Sequence, residues 1–477
     1  GGVVRYCGVL QLKMMFFKRG NRSGSAAVYL GVWDRDIEDF LELRLQVGEE
    51  RKRTRDLFTA VCIPDLFYEK LNANDDSWFV FCPHEVKEAG FPPLYDCFGD
   101  DFKKLYNQLV EYGLGREVSL KKIWNMLLTS QSESGLPYTF NWCNANKFNP
   151  QSNIGIRRGS NLCIEFMGVS RPNYTSQCNL GLIPLHNIGK NDWEEVKKRT
   201  KLLVRGLNKA IDVTVWSTDD AEAAGEDQRT IGIGIAGLAD YMAIHDIIFD
   251  SDEALEFNEE LIRVMYEAAK EESSRLAKDV YKKNYPAWSG SMYDEEGTPM
   301  INSLLLCLMP SASTSGLLGV NEAFEAFHSN IFQRRLDVGE FVVVNKYLQK
   351  ELGEIDLWND DIRNKILKGE GSIQHIEEIP ARIRLKYRTR FKYKQKNLID
   401  LAVRRQKNLD QSQSMNLYFK EATSGKIGGA LNYGWKNGLI TGSYYIKTES
   451  SLAAPTRLST GLTEKPKDSP FECFGCS

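Results

Sequence analysis

Asn161, Cys163 and Glu165 occupy alternate positions of one short run, with the apolar Leu162, Ile164 and Phe166 between and after them. On an extended strand, a period of two sends those three polar side chains to one face, spaced about 6.6 Å from one to the next. An amide, a thiol and a carboxylate at that spacing can all touch one small substrate carrying vicinal hydroxyls, such as a ribose. Cys178, fifteen residues beyond Cys163 in Gln-Cys-Asn-Leu-Gly, supplies a second thiol. Taken alone, the run reads equally well as a buried structural cysteine flanked by polar edge residues.

Elements able to position such a face follow from periodicity. Val28 to Trp33 predicts a strand, and Arg35 to Gln46 a helix. Asp192 to Trp216 predicts a longer amphipathic helix opened by Asn191, with Trp193, Val196, Leu203, Leu207 and Ile211 at helical spacing. Asp252 to Tyr281 predicts another, acidic at its start and lysine-bearing at its end, as the helix dipole favours. Strands alternating with helices, without internal repeats, imply a single α/β unit. Gly232-Ile-Gly-Ile-Ala-Gly237 has the spacing of a dinucleotide fingerprint, with Asp250 and Asp252 downstream. Only Ile231 precedes it as apolar strand, however, so it reads as a strand packed closely through its glycines.

Composition narrows the classes. The 477 residues are 42% hydrophobic and 26% charged with a net charge of −3, which is ordinary globular material with no overall attraction to nucleic acid. No run of eighteen apolar residues could span a bilayer. Gln11 and Lys13 interrupt the apolar patch from Val9 to Phe17, which therefore does not read as a signal peptide, and a cytoplasmic location is expected. Ten scattered cysteines are too sparse for a secreted disulfide framework and suit reduced or redox-active thiols. The five histidines lack paired spacing and only one Cys-x-x-Cys exists, so no metal site is expected. Ser311, Ala312, Ser313 and Thr314 follow Pro310 in a turn whose hydroxyls and backbone N–H groups could face a phosphate, although taken alone a serine helix cap is the favoured reading. Basic residues at every second position from Arg382 to Lys396, interleaved with Tyr387, Phe391 and Tyr393, raise a nucleic-acid-binding module as an alternative; a solvated helix is the favoured reading. Asn173-Tyr-Thr175 matches a glycosylation sequon that a cytoplasmic chain would never expose to the enzyme.

The segment around Cys163 resembles the finger loop of the large subunit of class I ribonucleotide reductase. Four further motifs, in order, carry the same resemblance: Leu308-Met-Pro-Ser-Ala-Ser-Thr-Ser315, Asp410-Gln-Ser-Gln-Ser-Met-Asn416, Gly442-Ser-Tyr-Tyr445 and Cys473-Phe-Gly-Cys476. The resemblance implies a ten-stranded α/β barrel of two five-strand halves around a central finger loop, here without its N-terminal part. Its expected divisions are a non-matching tail over 1–17, the barrel over 18–455 with the finger loop near 158–180, and a redox tail over 456–477. It implies reduction of ribonucleoside diphosphates, with Cys163 as a transient thiyl radical, Glu165 as general base and Asn161 holding substrate. Cys178 would be one of two reducing cysteines, re-reduced by the tail thiols Cys473 and Cys476, while Tyr444 and Tyr445 would pass the radical inward. Ser311, Ser313 and Thr314, with the backbone of Ala312, would hold the diphosphate. No cofactor is expected on the chain itself. The implied partners are a small radical-generating subunit with a di-metal centre, thioredoxin or glutaredoxin as reductant, and a separately encoded N-terminal fragment completing a split enzyme; a truncated, inactive remnant is the alternative. The resemblance places the partner of Cys178 on the family's first barrel strand, in the N-terminal part, and Cys7 does not fit as a substitute.

Overall fold

The computed structural model describes residues 2–16, 18–19, 22–336 and 339–449. After helix α1 (Gly2–Phe16), strands β1 (Ala27–Gly31), β2 (Phe58–Ile63) and β3 (Tyr138–Asn141) pair in parallel, with Tyr29 opposite Ala60 and Ala60 opposite Tyr138. From Thr59 to Ile63 and throughout β3 every residue is buried, as strands covered on both faces require. The chain then passes a short helix, Trp142–Lys147, crosses a long loop, residues 148–179, and emerges as β4 (Leu180–Pro184). Helix α2 (Trp193–Val213) leads to β5 (Gly232–Ala236), which pairs in parallel with β4. Parallel bridges from Ile233 to Leu306 and from Leu308 to Gln413 carry this second run onward. Helices α3 (Asp252–Arg275), α4 (Ala312–Leu318) and α5 (Gln395–Gln406) follow in the chain, then β6 (Leu417–Phe419), β7 (Thr441–Ser443) and β8 (Ile446–Thr448). Strand β7 returns to the first run, antiparallel to β3, and β8 lies parallel to β6.

Each run has its own core. The first gathers Phe40, Trp78, Trp142 and the β1–β3 side chains; the second gathers Ile183, Ile233, Ile235, Leu261, Leu306 and Leu308. The loop between the runs puts Ile164 and Met167 into the first core. Helix α3 packs on α2 and α5 on α3, burying Val196, Val204 and Ile211 of α2 and Phe257, Leu261, Ile262 and Met265 of α3. Among the described residues no helix is long and apolar enough to cross a membrane.

Several boundaries differ from the periodicity. The helix expected over Arg35 to Gln46 is only Ile37–Leu41, because the Leu43 carbonyl accepts from the Thr54 amide at 2.9 Å and is lost to helix propagation. Helix α2 is capped by Asp192, whose side chain accepts from the Glu195 amide at 3.1 Å, rather than by Asn191. The helix expected over Asp252 to Tyr281 ends as α3 at Arg275 and continues as a π-turn over Leu276–Tyr281. The basic run is not one helix either. It divides into Ala381–Lys386, a single turn at Arg390–Lys392 and the start of α5, since the 327–330 segment captures its backbone: Arg390 N donates to Phe327 O and Asn330 Nδ2 to Tyr387 O. Five of its eight cations face acids: Arg382 and Lys386 meet Asp246, Arg388 meets Asp250, Lys392 meets Glu449 and Lys396 meets Asp400. A phosphate backbone would have to displace these partners.

Candidate active site

The run from Asn161 to Glu165 is a turn, not the strand its alternation predicts. Ile164 has φ +63° and its N–H donates to Asn161 O at 3.3 Å. Successive carbonyls are taken by unrelated partners, so no neighbouring strand can form: Tyr29 OH donates to Asn161 O at 2.7 Å, Ser414 Oγ to Cys163 O at 2.6 Å, Thr441 Oγ1 to Ile164 O at 3.1 Å and Ser412 N to Glu165 O at 3.0 Å. The turn still brings the polar groups together. Asn161 Nδ2 donates to Glu165 Oε1 at 2.9 Å and Ser414 Oγ reaches Glu165 Oε2 at 3.1 Å. Glu165 is 1% exposed, and burial raises its carboxyl pKa above the ordinary value against the opposing bonds from Asn161 and Ser414.

Asp410 to Asn416 is the scaffold of this turn. The buried Asp410 carboxylate accepts from Leu305 N at 2.6 Å and Leu306 N at 2.8 Å; burial pushes its pKa to about 6. Leu308 N donates to Ser412 O and Ser414 N to Leu308 O, both at 3.0 Å, so residues 412–414 are stitched to the strand segment beside β5 on one side and to the finger turn on the other. Gln411 Oε1 accepts from Met167 N at 3.2 Å. Behind it the buried Arg405 guanidinium bonds Gln413 Oε1 and Asn258 Oδ1, both at 2.9 Å, fixing α5 and α3 to the same segment. Farther along the loop, Gln151 accepts from Val169 N at 2.9 Å and Gln228 donates to Val169 O at 2.6 Å.

Cys178 lies just before β4 and keeps solvent contact, yet the protein around it, then the Glu165 carboxylate, raise its thiol pKa, opposed by a hydrogen bond from Asn161. Asn161 thus touches both Glu165 and Cys178. Tyr444 is buried, with its ring 4.2 Å from that of Tyr445; its amide donates to Met415 O at 2.7 Å, which links it directly to the 410–416 segment. At the 310–316 turn, Ser313 and Thr314 are exposed. Ser311 is buried and engaged internally, its Oγ 2.7 Å from Ser315 Oγ and accepting from Ala323 N at 2.7 Å, so its hydroxyl is committed to the turn itself. It does not cap α4 through its side chain. Cys473 and Cys476 lie outside the described residues. Among the described residues no three His, Cys, Asp or Glu side chains are arranged to hold a metal ion.

Sequence reasoning passed over Tyr29, Tyr138, Cys307 and Thr441. Tyr138 packs against both paired tyrosines, tilted at a ring distance of 4.9 Å from Tyr444 and edge-on at 5.6 Å from Tyr445. Its position in a buried strand gave no signal beyond an ordinary core aromatic. Ser414 lay within a recognised motif, but its bond to Glu165 depends on tertiary contact.

Two parallel runs of strands, bridged by a loop that holds a buried carboxylate beside two thiols, define an α/β scaffold with a thiol–carboxylate site. The family described as ribonucleotide reductase, barrel domain, matches residues 1–300 and 282–445, and the chain belongs to that family. The match takes in residues 1–17, which the sequence reading sets apart as a non-matching tail; α1 buries Cys7 in the first core. The ribonucleoside-diphosphate reductase large chain of Neurospora crassa is 37% identical over 90% of this chain and 49% of its own length. That of Cryptosporidium parvum is 38% identical over 91% of this chain and 57% of its own length. That of Encephalitozoon cuniculi is 35% identical over the whole of this chain and 66% of its own length. The chain thus spans about half the length of the first two. The class Id ribonucleotide reductase alpha subunit of Actinobacillus ureae shares the fold, with a TM-score of 0.69 at 24% identity over 89% of this chain and 70% of that one.

Proposed function

We propose that this chain carries the catalytic barrel of a ribonucleoside-diphosphate reductase and makes 2′-deoxyribonucleoside diphosphates by thiyl-radical chemistry. The observation that carries this reading is the single Ser414 hydroxyl that holds both the Cys163 carbonyl and the Glu165 carboxylate, with Asn161 bonded to the other carboxylate oxygen. A radical on the Cys163 sulfur would take the hydrogen from C3′ of the ribose while Glu165 accepts the 3′-hydroxyl proton. The 2′-hydroxyl then leaves as water, and two thiols, Cys178 among them, supply two electrons and become a disulfide. Asn161, which faces Glu165 and Cys178 together, would hold the ribose. Ser313, Thr314 and the backbone of Ala312 would meet the diphosphate.

Tyr445 and Tyr444 would pass the radical inward from a small subunit with a di-metal centre, and Tyr138 packs on both rings. Cys473 and Cys476, with thioredoxin or glutaredoxin behind them, would reduce the disulfide by thiol exchange in a reducing cytoplasm. The relatives carry length that this chain does not, so the test supplies it. Deoxyribonucleoside diphosphate formation is measured with the chain, a radical-generating small subunit and a polypeptide covering the remaining family length. Product from the wild type and none from a folded Cys163→Ser variant is the expected result. Turnover by Cys163→Ser at the wild-type rate would overturn the reading.

A further inference from the structure

The Asn161 side chain meets both Glu165 and Cys178, and what it offers them depends on which way its amide points. The two ends of an amide are opposites, since the oxygen only accepts and the NH2 group only donates. Its neighbours are equally one-sided. The Phe166 backbone N–H can only donate and lies 3.2 Å from Asn161 Oδ1, while the ionised Glu165 carboxylate can only accept and lies 2.9 Å from Nδ2. Two hydroxyls hold the frame of this arrangement. Ser160 Oγ donates to Phe166 O at 2.6 Å, closing the turn so that the Phe166 amide stays on Oδ1, and the same hydroxyl stands 3.2 Å from Oδ1. From β1, Tyr29 OH donates to Asn161 O at 2.7 Å and fixes the backbone from which the side chain springs. Gly159 makes room for the phenol, because a Cβ there would stand 3.1 Å from Tyr29 Cγ.

We infer that Ser160 and Tyr29 are positioning residues that lock the Asn161 amide with its NH2 end toward Glu165 and Cys178, so that the ribose meets a donor there and never the amide oxygen. The inference deepens the reductase reading, on which the ribose contact rests. The lock has a consequence for charge. An N–H aimed at Glu165 opposes the burial that raises its carboxyl, whereas a turned amide would set an oxygen lone pair against the carboxylate and raise it further. The titratable groups around that carboxylate, Tyr29, Cys178 and Cys307, are all raised by burial and stay uncharged near neutral pH, and Cys163 lies two residues away on the same turn. The hydrogen bonds from Asn161 and Ser414 are therefore what favour the ionised base.

The test has two readouts. In the reconstituted assay, kcat is followed across pH for the wild type, Ser160→Ala, Ser160→Thr and Tyr29→Phe. Glu165 works as a base only when ionised, so a further rise in its pKa carries the acid limb of the profile to higher pH. Ser160→Ala should show that shift with a fall in kcat of up to about 10²-fold, and Tyr29→Phe a smaller shift in the same direction. Ser160→Thr keeps the hydroxyl and should restore the wild-type limb. On the chain alone, alkylation of Cys178 at about pH 9, followed by mass spectrometry, should slow in Ser160→Ala because the thiolate loses its Asn161 donor. Rate losses equal at every pH with an unmoved limb, or Cys178 alkylated as fast as in the wild type or faster, would overturn the lock and leave both hydroxyls as braces of the turn. Should Ser160→Ala fail to fold, Tyr29→Phe, which keeps its ring on Gly159, carries both readouts. Turnover by Cys163→Ser would overturn the reductase reading instead, and the alkylation result stands apart from it.

Discussion

The finger turn at 161–165 and the hydroxyl turn at 311–315 both concentrate polar groups, but they use them in opposite directions. In the finger turn nearly every polar atom is committed within the protein: the carbonyls of Asn161, Cys163, Ile164 and Glu165 each accept a bond, and both Glu165 oxygens are held. At the hydroxyl turn only Ser311 and Ser315 bond inward, while Ser313 and Thr314 face solvent. A group that must hold a reactive geometry is fixed before substrate arrives, because a displacement of about 1 Å is costly in rate. A group that meets a charged diphosphate can remain hydrated until the ligand replaces the water.

Substitutions should separate the two regions. Asp410→Ala has the largest expected effect, since it leaves the buried Leu305 and Leu306 amides without acceptors; a loss of about 3 kcal/mol or more in urea unfolding is expected. Ser414→Ala removes the donor shared by Cys163 and Glu165, and should cost about 1–3 kcal/mol of stability together with most of the turnover. An unchanged unfolding midpoint for Ser414→Ala would mean that the finger turn is not braced as described.

The pH dependence is a subtler probe of the same contrast. Because the folded pKa of Glu165 is raised, its stabilising contribution is full below the ordinary carboxylate value and is lost as pH rises through the raised one. Turnover should move the other way, falling as pH drops through the raised value and the base takes up its proton. Glu165→Gln should flatten that stability trend while abolishing turnover, which melting and activity profiles across pH will show. The smallest stability effect is expected for the double substitution of Ser313 and Thr314 by alanine, within about 0.5 kcal/mol of the parent. Its substrate affinity, measured by calorimetric titration of a ribonucleoside diphosphate, should nevertheless fall.

Much of this contrast was visible in the residues, and what was hidden is tertiary. The alternation at 161–166 singled out Asn161 and Glu165, which do bond each other, but not the turn that joins them. Strand geometry assumes neighbours along an edge, whereas here three separate elements take the carbonyls and Ile164 turns left-handed. Gly232 and Gly234 do form a close-packed strand, as expected from the weak apolar run before them, and their contacts are Cys307 and Met309. For the basic run, period-two charge on paper says nothing of the acids at Asp246, Asp250 and Glu449 that meet it in space. The Ala323 amide that donates to Ser311 Oγ was likewise beyond the reach of the sequence.

Hydrogen exchange read by mass spectrometry, with and without a ribonucleoside diphosphate, addresses the contrast most directly. Amides over 162–166 and 411–415 should be protected before ligand is added and change little on binding, while those over 311–316 should gain protection. A finger turn that exchanges freely until substrate binds, beside a hydroxyl turn already protected without it, would contradict the account.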